Sequence, residues 1–296
     1  MSIVVTGAGG HLGRLVVENL LARGVPAGRI VAGTRDVGAL SSLAERGVDV
    51  RRLDFDDPDS LAAAFTGAEK ALIVSGTDFG RRVEQHVGAA RAARDAGASL
   101  VAYTSAPYAD TTDLLLAEDH RATEAGIRAL DVPFTFLRNG WYFENYTQQL
   151  PVYLQVGAVV GSAGEGRVSG AARSDYAEAA AAVLSSDGHE GAVYELGGDT
   201  SFTLSELAEQ ITKHTGQPVG YRDVTQPELE AVLTGAGLPG PVAHVLADTD
   251  RAIAAGRLLI DTGDLSRLTG RPTTSLSDAV AVAAASAPGA AGVSAR

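Results

Sequence analysis

The sequence predicts an α/β protein with a doubly wound, parallel sheet, and three observations lead to this fold class. From residue 2 to about residue 137, short runs rich in β-branched residues alternate with Ala-rich, amphipathic segments. The first run leads directly into a glycine-rich loop, and residues that start and stop helices separate the later runs. Parallel strands need a long crossover connection, and a helix between successive strands provides it.

Six strands and the helices between them follow from this alternation. Asp57 and Pro58 form an N-cap and a first helical turn, and Gly67 ends that helix. Apolar positions at helical spacing from residue 81 to residue 96 predict a longer helix that stops at Gly97. The predicted strands are Ile3–Thr6, Ile30–Thr34, Val48–Leu53, Ala71–Ser75, Leu100–Thr104 and Phe134–Leu137.

The alternation loosens after about residue 140. A helix is predicted from Ser174 to Leu184 and a strand over residues 192–196, and Thr203 forms a capping box with Glu206. These elements are too few for a second independent domain. We therefore expect a main domain over residues 1–150, a smaller C-terminal α/β lobe over residues 151–285 that shares its core, and a disordered tail over residues 286–296.

Composition excludes several classes of function. The formal net charge of -12 would repel a phosphate backbone, so we expect no nucleic-acid partner. The chain has no cysteine, which excludes disulfides and thiolate catalysis, and its histidines show no metal-ligand spacing, so we expect no metal. No apolar run has membrane-spanning length, so we expect a cytoplasmic protein that does not bind membranes. The sequence leaves the oligomeric state open, with a homodimer among the alternatives.

The glycine-rich loop predicts a dinucleotide site. Glycines at 7, 10 and 13 allow a tight turn, close approach of the backbone to a pyrophosphate, and close packing of helix on strand. The following helix would supply free amides and the positive end of its dipole. We therefore interpret residues 1–150 as a Rossmann domain with the pyrophosphate site at Gly7, Ala8, Gly9, Gly10, His11, Leu12 and Gly13.

The end of the second predicted strand favours NADPH over NADH. An NAD-specific site expects a carboxylate there for the ribose hydroxyls, whereas this strand ends Gly33-Thr34-Arg35-Asp36. Arg35 can pair with a 2′-phosphate, and Asp36 can either face the ribose or pair with Arg35. The carboxyl-end rule for open sheets places further predicted cofactor contacts at Asp54, Phe55, Ser75, Gly76, Thr77 and Thr104.

Several motifs resemble the NmrA-like branch of the atypical short-chain dehydrogenases, and within it the bacterial NADPH:quinone oxidoreductases of the second type. They are TGAGGHLG at 6–13, VAYTS at 101–105, LAEDHRATE at 116–124, LRNGWYFENY at 137–146 and GHEGAVYELGGD at 188–199. The resemblance implies an NADPH-dependent reductase without flavin or zinc. It also implies a nicotinamide pocket formed by Asn139, Gly140, Trp141, Tyr142, Phe143 and Glu144. The chain departs from the family where a lysine is expected after Glu124, because Ala125 stands there.

The short-chain dehydrogenase pattern of tyrosine, three residues and lysine is absent. Leu116 takes the place of the proton-donating tyrosine, and His120 takes the place of the lysine. A ketone that accepts hydride becomes an alkoxide with a conjugate-acid pKa near about 15.7, whereas a quinone becomes a phenolate with a pKa of about 10. The gap is worth roughly 8 kcal/mol, so a site without an acid favours a quinone or similar activated acceptor.

His120 and Asn139 are the candidate catalytic residues. His120 has three interpretations: it bonds the nicotinamide ribose, it donates a proton to the hydroquinone, or it is a surface histidine without a catalytic role. Asn139 is a candidate donor to the acceptor carbonyl or to the carboxamide. Ser105 lies where the catalytic serine of short-chain dehydrogenases would be, but without the tyrosine it would contribute at most a hydrogen bond.

Four aromatic residues are candidates for the acceptor pocket, because they follow strands at the carboxyl edge. The alternative is that each packs beneath a loop. They are Phe79, Tyr108, Trp141 and Tyr142.

Three functions remain open at this stage. The first is a reductase of quinones by direct hydride transfer from NADPH. The second is a ketoreductase acting on an aromatic carbonyl of the polyketide type, whose own phenols replace the missing acid. The third is a redox sensor that binds NADP and contacts a partner without turnover.

Overall fold

The fold is centred on one parallel sheet. The structure is a computed structural model, and it describes residues 2–78 and 80–286. The strands of the main sheet are β1 (Ser2–Val5), β2 (Ile30–Thr34), β3 (Asp49–Arg52), β4 (Ala68–Ile73), β5 (Leu100–Ser105), β6 (Phe134–Asn139) and β8 (Val193–Leu196). A separate parallel pair consists of β7 (Ala158–Gly161) and β9 (Gly220–Asp223).

Helices follow most strands, and they pack through short apolar faces against the sheet or the lobe. They are α1 (His11–Ala22), α2 (Ser41–Ala44), α3 (Pro58–Phe65), α4 (Arg82–Asp95), α5 (Ala117–Arg128), α6 (Glu144–Thr147), α7 (Leu150–Val156), α8 (Arg173–Ser185), α9 (Leu204–Thr215), α10 (Gln226–Gly235), α11 (Gly240–Ala254), α12 (Asp264–Thr269) and α13 (Leu276–Ser286).

The strand order is β3-β2-β1-β4-β5-β6-β8. From β1 the chain winds outward in one direction through β2 and β3, and then in the other direction from β4 onwards. The order therefore reverses between β1 and β4, and ligands of such sheets bind in the crevice outside the carboxyl ends of the strands at this point. This topology confirms the predicted fold class.

The main sheet has seven strands, one more than the six that the alternation predicts. The additional strand, β8, was expected in the smaller lobe but pairs in parallel with β6, with Tyr194 opposite Leu137. Residues beyond 150 also supply α8, whose Ala180 shares one core with Leu20 of α1. Without β8, the hydrogen-bonding edge of β6 would be exposed to water, and without α8 an apolar face of α1 would be exposed. These later segments therefore join the main domain.

The smaller lobe packs over the carboxyl ends of β5 and β6. Ala106 and Trp141, which follow those two strands, share a hydrophobic core with Val159 of β7 and Leu207 of α9. The lobe thus forms a wall beside the crevice, and its core lies against this edge of the sheet.

Two expectations concern the ends and the surface of the chain. Ser286 is the last residue of α13 rather than the start of a tail, and residues 287–296 lie outside the described residues. Within the described part of the chain, no helix has both the length and the hydropathy that a bilayer span requires.

Candidate active site

The glycine-rich turn after β1 has the geometry of an anion site. Gly7 has a φ of 61°, a conformation that strongly favours glycine, and its carbonyl oxygen accepts from the Gly10 amide at 2.9 Å. A Cβ on residue 13 would lie 2.4 Å from the same oxygen, so α1 approaches the turn closely only because Gly13 has no side chain. No described side chain caps the start of α1, and Gly9, Gly10 and His11 are exposed. The first amides of α1 are therefore open to an anion.

The corner after β2 presents an exposed arginine. Arg35 is exposed and makes no salt bridge with any residue that the structure describes. Asp36 is not its partner, because the Oδ1 of Asp36 accepts from the backbone amides of Gly38 at 3.0 Å and Ala39 at 3.3 Å. The Oδ1 of Asp36 therefore stabilises the turn, and Arg35 is a cation of this corner that Asp36 does not neutralise, while a contact of Asp36 with the ribose stays a prediction.

A second arginine borders this corner and was missed in the sequence. The Nη2 of Arg14, in the first turn of α1, donates to the Oγ of Ser42 at 2.9 Å. Ser42 lies in α2, which closes the segment that follows Arg35. The signal was available, because Arg14 comes directly after the last glycine of the loop.

The segment after β4 is held by side chains. Three successive backbone amides, which leave the sheet ladder here, each donate to a side-chain acceptor. The pairs are Val74 to Thr6 Oγ1 at 2.9 Å, Ser75 to Thr104 Oγ1 at 2.9 Å, and Gly76 to His86 Nε2 at 2.8 Å. Thr104, which is buried, thus positions Ser75 at the point where the strand order reverses.

The residues after β3 lie beside the same segment. Asp54 is half-buried, and its Oδ1 accepts from the amide of Asp56 at 3.2 Å. The ring of Phe55 meets the imidazole of His86 edge-on, with 5.8 Å between the ring centroids. Phe55 therefore closes one side of His86, and Ser75, Gly76 and Thr77 are partly or fully accessible next to it.

His120 is buried, so the interpretation as a surface histidine is wrong. Only 5% of the residue is exposed, and its Nδ1 lies 2.8 Å from the hydroxyl of Tyr103. Burial, with the charge of Arg82 and the neighbouring His86, lowers the pKa of His120 from 6.5 to about 3. His120 is therefore neutral at physiological pH, and it has no imidazolium proton to give.

The segment after β6 carries polar atoms without partners. The Nδ2 of Asn139 donates to the hydroxyl of Tyr142 at 3.1 Å, while its Oδ1 is buried and has no partner among the described residues. The donor of Asn139, which the sequence predicts to contact the ligand, thus already bonds Tyr142, and the atom that lacks a partner is an acceptor. The indole Nε1 of Trp141 is also buried and unmet within the described chain.

Trp141 and Tyr142 pack in opposite directions. Trp141 contacts the core of the lobe, whereas Tyr142 packs against the core beneath the sheet. The ring of Tyr142 meets that of Tyr176 at a centroid distance of 5.1 Å, and the guanidinium of Arg173 lies 5.1 Å from its centroid. Of the two, Trp141 has the side chain that borders the lobe wall of the crevice.

Phe143 and Glu144, which are predicted to contact the cofactor, make contacts within the protein. Phe143 is 2% exposed and packs against Phe202 in the lobe core. Both carboxylate oxygens of Glu144 accept from the backbone amide of Arg173 at 3.0 Å, which caps α8. The motif was interpreted as a continuous lining, but successive residues of a short helix face different neighbours. Gly140 is needed for packing, because a Cβ there would lie 2.9 Å from the carbonyl oxygen of Leu196.

Tyr108 is held in a strained backbone conformation at this edge. Its φ is 49°, which is uncommon for a residue with a side chain, and its amide donates to Glu195 Oε2 at 2.9 Å. Its hydroxyl donates to the carbonyl of Leu259 in the lobe at 3.4 Å. Tyr108 thus links β5, β8 and the lobe. Phe79, the fourth predicted pocket residue, lies outside the described residues.

Ser105 is bound within a buried ionic network. Its hydroxyl donates to Glu124 Oε1 at 2.7 Å, and the guanidinium of Arg138 donates to Glu124 Oε2 at 2.7 Å and to Glu195 Oε1 at 2.7 Å. Glu124 and Arg138 have side chains only 1% and 3% exposed. The position where the family has a lysine, Ala125, is exposed on α5, so this departure lies outside the network.

The residues present fit a dinucleotide. Three groups follow strands at the carboxyl edge: the first amides of α1 after β1, the exposed Arg35 after β2, and the unmet Oδ1 of Asn139 after β6. They offer an anion site, a cation and an acceptor, and one molecule that extends along this edge would meet all three. Residues 2–78 and 80–286 contain no cluster of three or more side chains suited to a metal ion.

These features define a Rossmann protein of the short-chain dehydrogenase class that lacks the usual catalytic tyrosine and lysine. The chain belongs to the NmrA-like family, whose profile matches residues 1–256. This membership confirms the resemblance seen in the sequence motifs.

Characterised relatives match nearly the whole chain. Quinone oxidoreductase 2 of Escherichia coli strain K12 is 43% identical over 278 residues, which cover 94% of this chain and 97% of that protein. The crystal structure of an NADPH-dependent quinone oxidoreductase from Escherichia coli complexed with NADPH has a TM-score of 0.91 at 43% identity, covering 95% of this chain and 99% of that one. Triphenylmethane reductase from Citrobacter sp., complexed with NADP(H), has a TM-score of 0.90 at 39% identity, covering 95% and 100%.

Proposed function

We propose that the chain is an NADPH-dependent reductase that transfers hydride directly to a quinone or a similar activated acceptor, without flavin or metal. The observation that carries the proposal concerns the three positions where a short-chain dehydrogenase would hold or assist its acid: among the described residues, none of them offers a proton. Leu116 stands in the tyrosine position, His120 is neutral, and the hydroxyl of Ser105 is bound to Glu124. Similarity to the quinone oxidoreductase of Escherichia coli supports the same function.

The cofactor would be held at three places. The first amides of α1 would bind the pyrophosphate, and Arg35 would pair with the 2′-phosphate, with Arg14 beside it. The buried Oδ1 of Asn139 would accept from the carboxamide of the nicotinamide, which satisfies an acceptor that is otherwise costly to bury. Bound NADPH supplies the hydride.

The acceptor would lie between the segment after β4 and the lobe. Trp141 and Tyr108 border this space and offer flat surfaces to an aromatic ring. Once reduced, a quinone leaves as a phenolate that water can protonate, so the site needs only to align the reactants and exclude water from the transfer. Triphenylmethane reductase acts on dyes that are also conjugated, which extends the proposed acceptor class beyond quinones.

The test is the loss of NADPH absorbance in the presence of a panel of acceptors. We expect turnover with simple benzoquinones and naphthoquinones and with a triphenylmethane dye, and none with unactivated ketones. Turnover with ketones of the polyketide type alone would support the ketoreductase instead. Tight NADPH binding without oxidation by any acceptor would contradict an enzymatic role and favour the sensor.

Flavin and metal dependence can be tested in the same assay. Activity of protein treated with a chelator and shown by its absorbance spectrum to be free of flavin would support direct transfer. With C4-deuterated NADPH, deuterium on the central carbon of the reduced triphenylmethane dye, where it does not exchange with water, together with a primary isotope effect on quinone reduction, would identify hydride transfer as the chemical step.

A further inference from the structure

A buried hydrogen-bond chain joins the segment after β4 to α5. It begins at the backbone amide of Gly76, which donates to His86 Nε2 at 2.8 Å. The Nδ1 of His86 lies 3.3 Å from the hydroxyl of Tyr103, and that hydroxyl lies 2.8 Å from the Nδ1 of His120. The chain therefore crosses from the segment after β4, through α4 and β5, to α5.

All three side chains of this chain are shielded from water. His86 and Tyr103 are 0% exposed and His120 is 5% exposed. Burial lowers the pKa of His86 to about 4 and that of His120 to about 3, and it raises the pKa of Tyr103. The guanidinium of Arg82, which bonds Asp119 at 2.7 Å, adds to the effect on both imidazoles. Each group of the chain is therefore neutral at physiological pH.

The backbone amide at one end fixes the tautomer of His86. An amide can only donate, so His86 Nε2 accepts, and its proton must be on Nδ1, which donates to the oxygen of Tyr103. The hydroxyl of Tyr103 has two neighbours that can accept its proton, His120 Nδ1 at 2.8 Å and the side chain of Thr123. We assign that proton to His120 Nδ1, which places the proton of His120 on Nε2. No residue in the described part of the chain accepts a hydrogen bond from that Nε2.

We propose that His86 and Tyr103 are positioning residues, which fix His120 as the Nε2–H tautomer and direct that donor to an oxygen atom of the bound cofactor or acceptor. The proposal rests on the proposed function for the identity of the bound molecules. The same chain ties His120 to Gly76, so these two residues keep one relative placement.

The chain orients protons and does not conduct them. Suppose that His120 gave its Nε2 proton to a phenolate and took a proton from Tyr103, and that Tyr103 took one from His86. His86 Nε2 would then have to take a proton from its own hydrogen-bond partner. That partner is the peptide N–H of Gly76, which is not an acid at any physiological pH. The proton that completes the hydroquinone therefore comes from water, and His120 contributes a hydrogen bond only.

The tautomers can be measured in the protein without any ligand. Two-bond ¹H–¹⁵N correlation spectra of the imidazoles, assigned with His86→Gln and His120→Gln, should show His86 protonated on Nδ1 and His120 protonated on Nε2. The Nδ1–H form is the less common one for neutral histidine, so the result for His86 is specific. His86 protonated on Nε2, or charged near neutral pH, would overturn the proposal even if quinone reduction is observed.

Tyr103→Phe removes only the linking hydroxyl and provides the functional test. We expect His120 to become a mixture of tautomers and kcat/KM for the quinone to fall about fivefold, the effect of one net hydrogen bond. Tyr194→Phe is the matched control, because Tyr194 also bonds an imidazole, His189, at 2.8 Å but lies on β8 away from the chain. An unchanged His120 tautomer in Tyr103→Phe, or equal losses in both variants, would contradict a positioning role.

Discussion

Acidification should destabilise the folded protein through two buried histidines. Burial, with the charge of Arg82, lowers the pKa of His86 from 6.5 to about 4 and that of His120 to about 3, whereas Asp119 opposes the effect at His86. Unfolded imidazoles bind protons below about pH 6.5, and the folded ones bind them only below about pH 4. Between these values the unfolded state holds more protons, so the free energy of unfolding falls as the pH falls.

The magnitude follows from the size of the window. One pKa unit corresponds to about 1.36 kcal/mol, and a pH of about 5 lies roughly 1.5 units below the pKa of an unfolded imidazole. At about pH 5, each histidine should therefore lower the free energy of unfolding by about 2 kcal/mol relative to neutral pH, and the pair by about 4 kcal/mol. Typical domains have about 5–15 kcal/mol of stability, so the effect is large.

Variants isolate this effect from other titrations. Burial raises the pKa of Asp250 to about 6, for example, and protonation of that carboxyl would stabilise the folded state over part of the same range. The useful quantity is thus the difference in unfolding free energy between wild type and His120→Gln. It should change by about 2 kcal/mol between about pH 7 and about pH 5.

The assay is urea unfolding at both pH values, followed by circular dichroism and by the fluorescence of Trp141, the single tryptophan. Thr135→Val is the control, because it removes a buried hydroxyl that donates to the carbonyl of His189 at 2.6 Å but removes no titrating group. Its cost should be the same at both pH values. A difference between wild type and His120→Gln that does not vary with pH would refute the assignment of a neutral, buried imidazole.

Three further predictions concern the cofactor and the ionic network. Arg35→Ala should weaken NADPH binding about tenfold or more and leave NADH binding nearly unchanged, because it removes a charge-assisted contact to the 2′-phosphate; calorimetric titration with both nucleotides tests this, and equal losses would remove the assignment. Asn139→Ala should weaken NADPH binding about tenfold by removing the acceptor for the carboxamide, whereas Tyr142→Phe, which keeps that acceptor, should bind NADPH like wild type; equal affinities in all three proteins would exclude Asn139 as a contact. Glu124→Gln should cost about 3–5 kcal/mol of unfolding free energy, because it leaves the buried Arg138 with less compensation, while Asp110→Asn should cost under about 1 kcal/mol, because the side chain of Asp110 is itself 59% exposed; similar costs for the two would contradict a buried network.

The sheet could be predicted from the sequence because its signals are local. Alternating β-branched runs and helix caps placed six strands within a few residues of their observed bounds, and the Asp57 cap and the capping box at Thr203 are both present. β8 was recognised as a strand, but its place in the main sheet was not. Strand partners depend on which edges remain uncovered after the rest of the chain folds, and no local pattern encodes that.

The candidate site divides in the same way. The glycine loop and Arg35 have signatures in consecutive residues, and both lie where the topology requires a ligand. The chain from Gly76 to His120 has no such signature, since it unites an amide and three side chains from separate elements. Phe143 and Glu144 show the opposite case, because a motif that is continuous in sequence places its side chains against different parts of the fold.

The structure also explains why the missing tyrosine is not replaced by a nearby group. In short-chain dehydrogenases a serine assists the tyrosine, but here Ser105 donates to Glu124, which in turn neutralises Arg138. Releasing that hydroxyl would remove one of the two hydrogen bonds that the buried Oε1 of Glu124 accepts, the other coming from the Nε of Arg138 at 2.9 Å. His120 is held through Tyr103 and is neutral, so it has a hydrogen bond to give but no acidic proton. The polar groups of this edge therefore release no proton, and an acceptor must generate an anion that is stable without one, which a quinone does and a simple ketone does not.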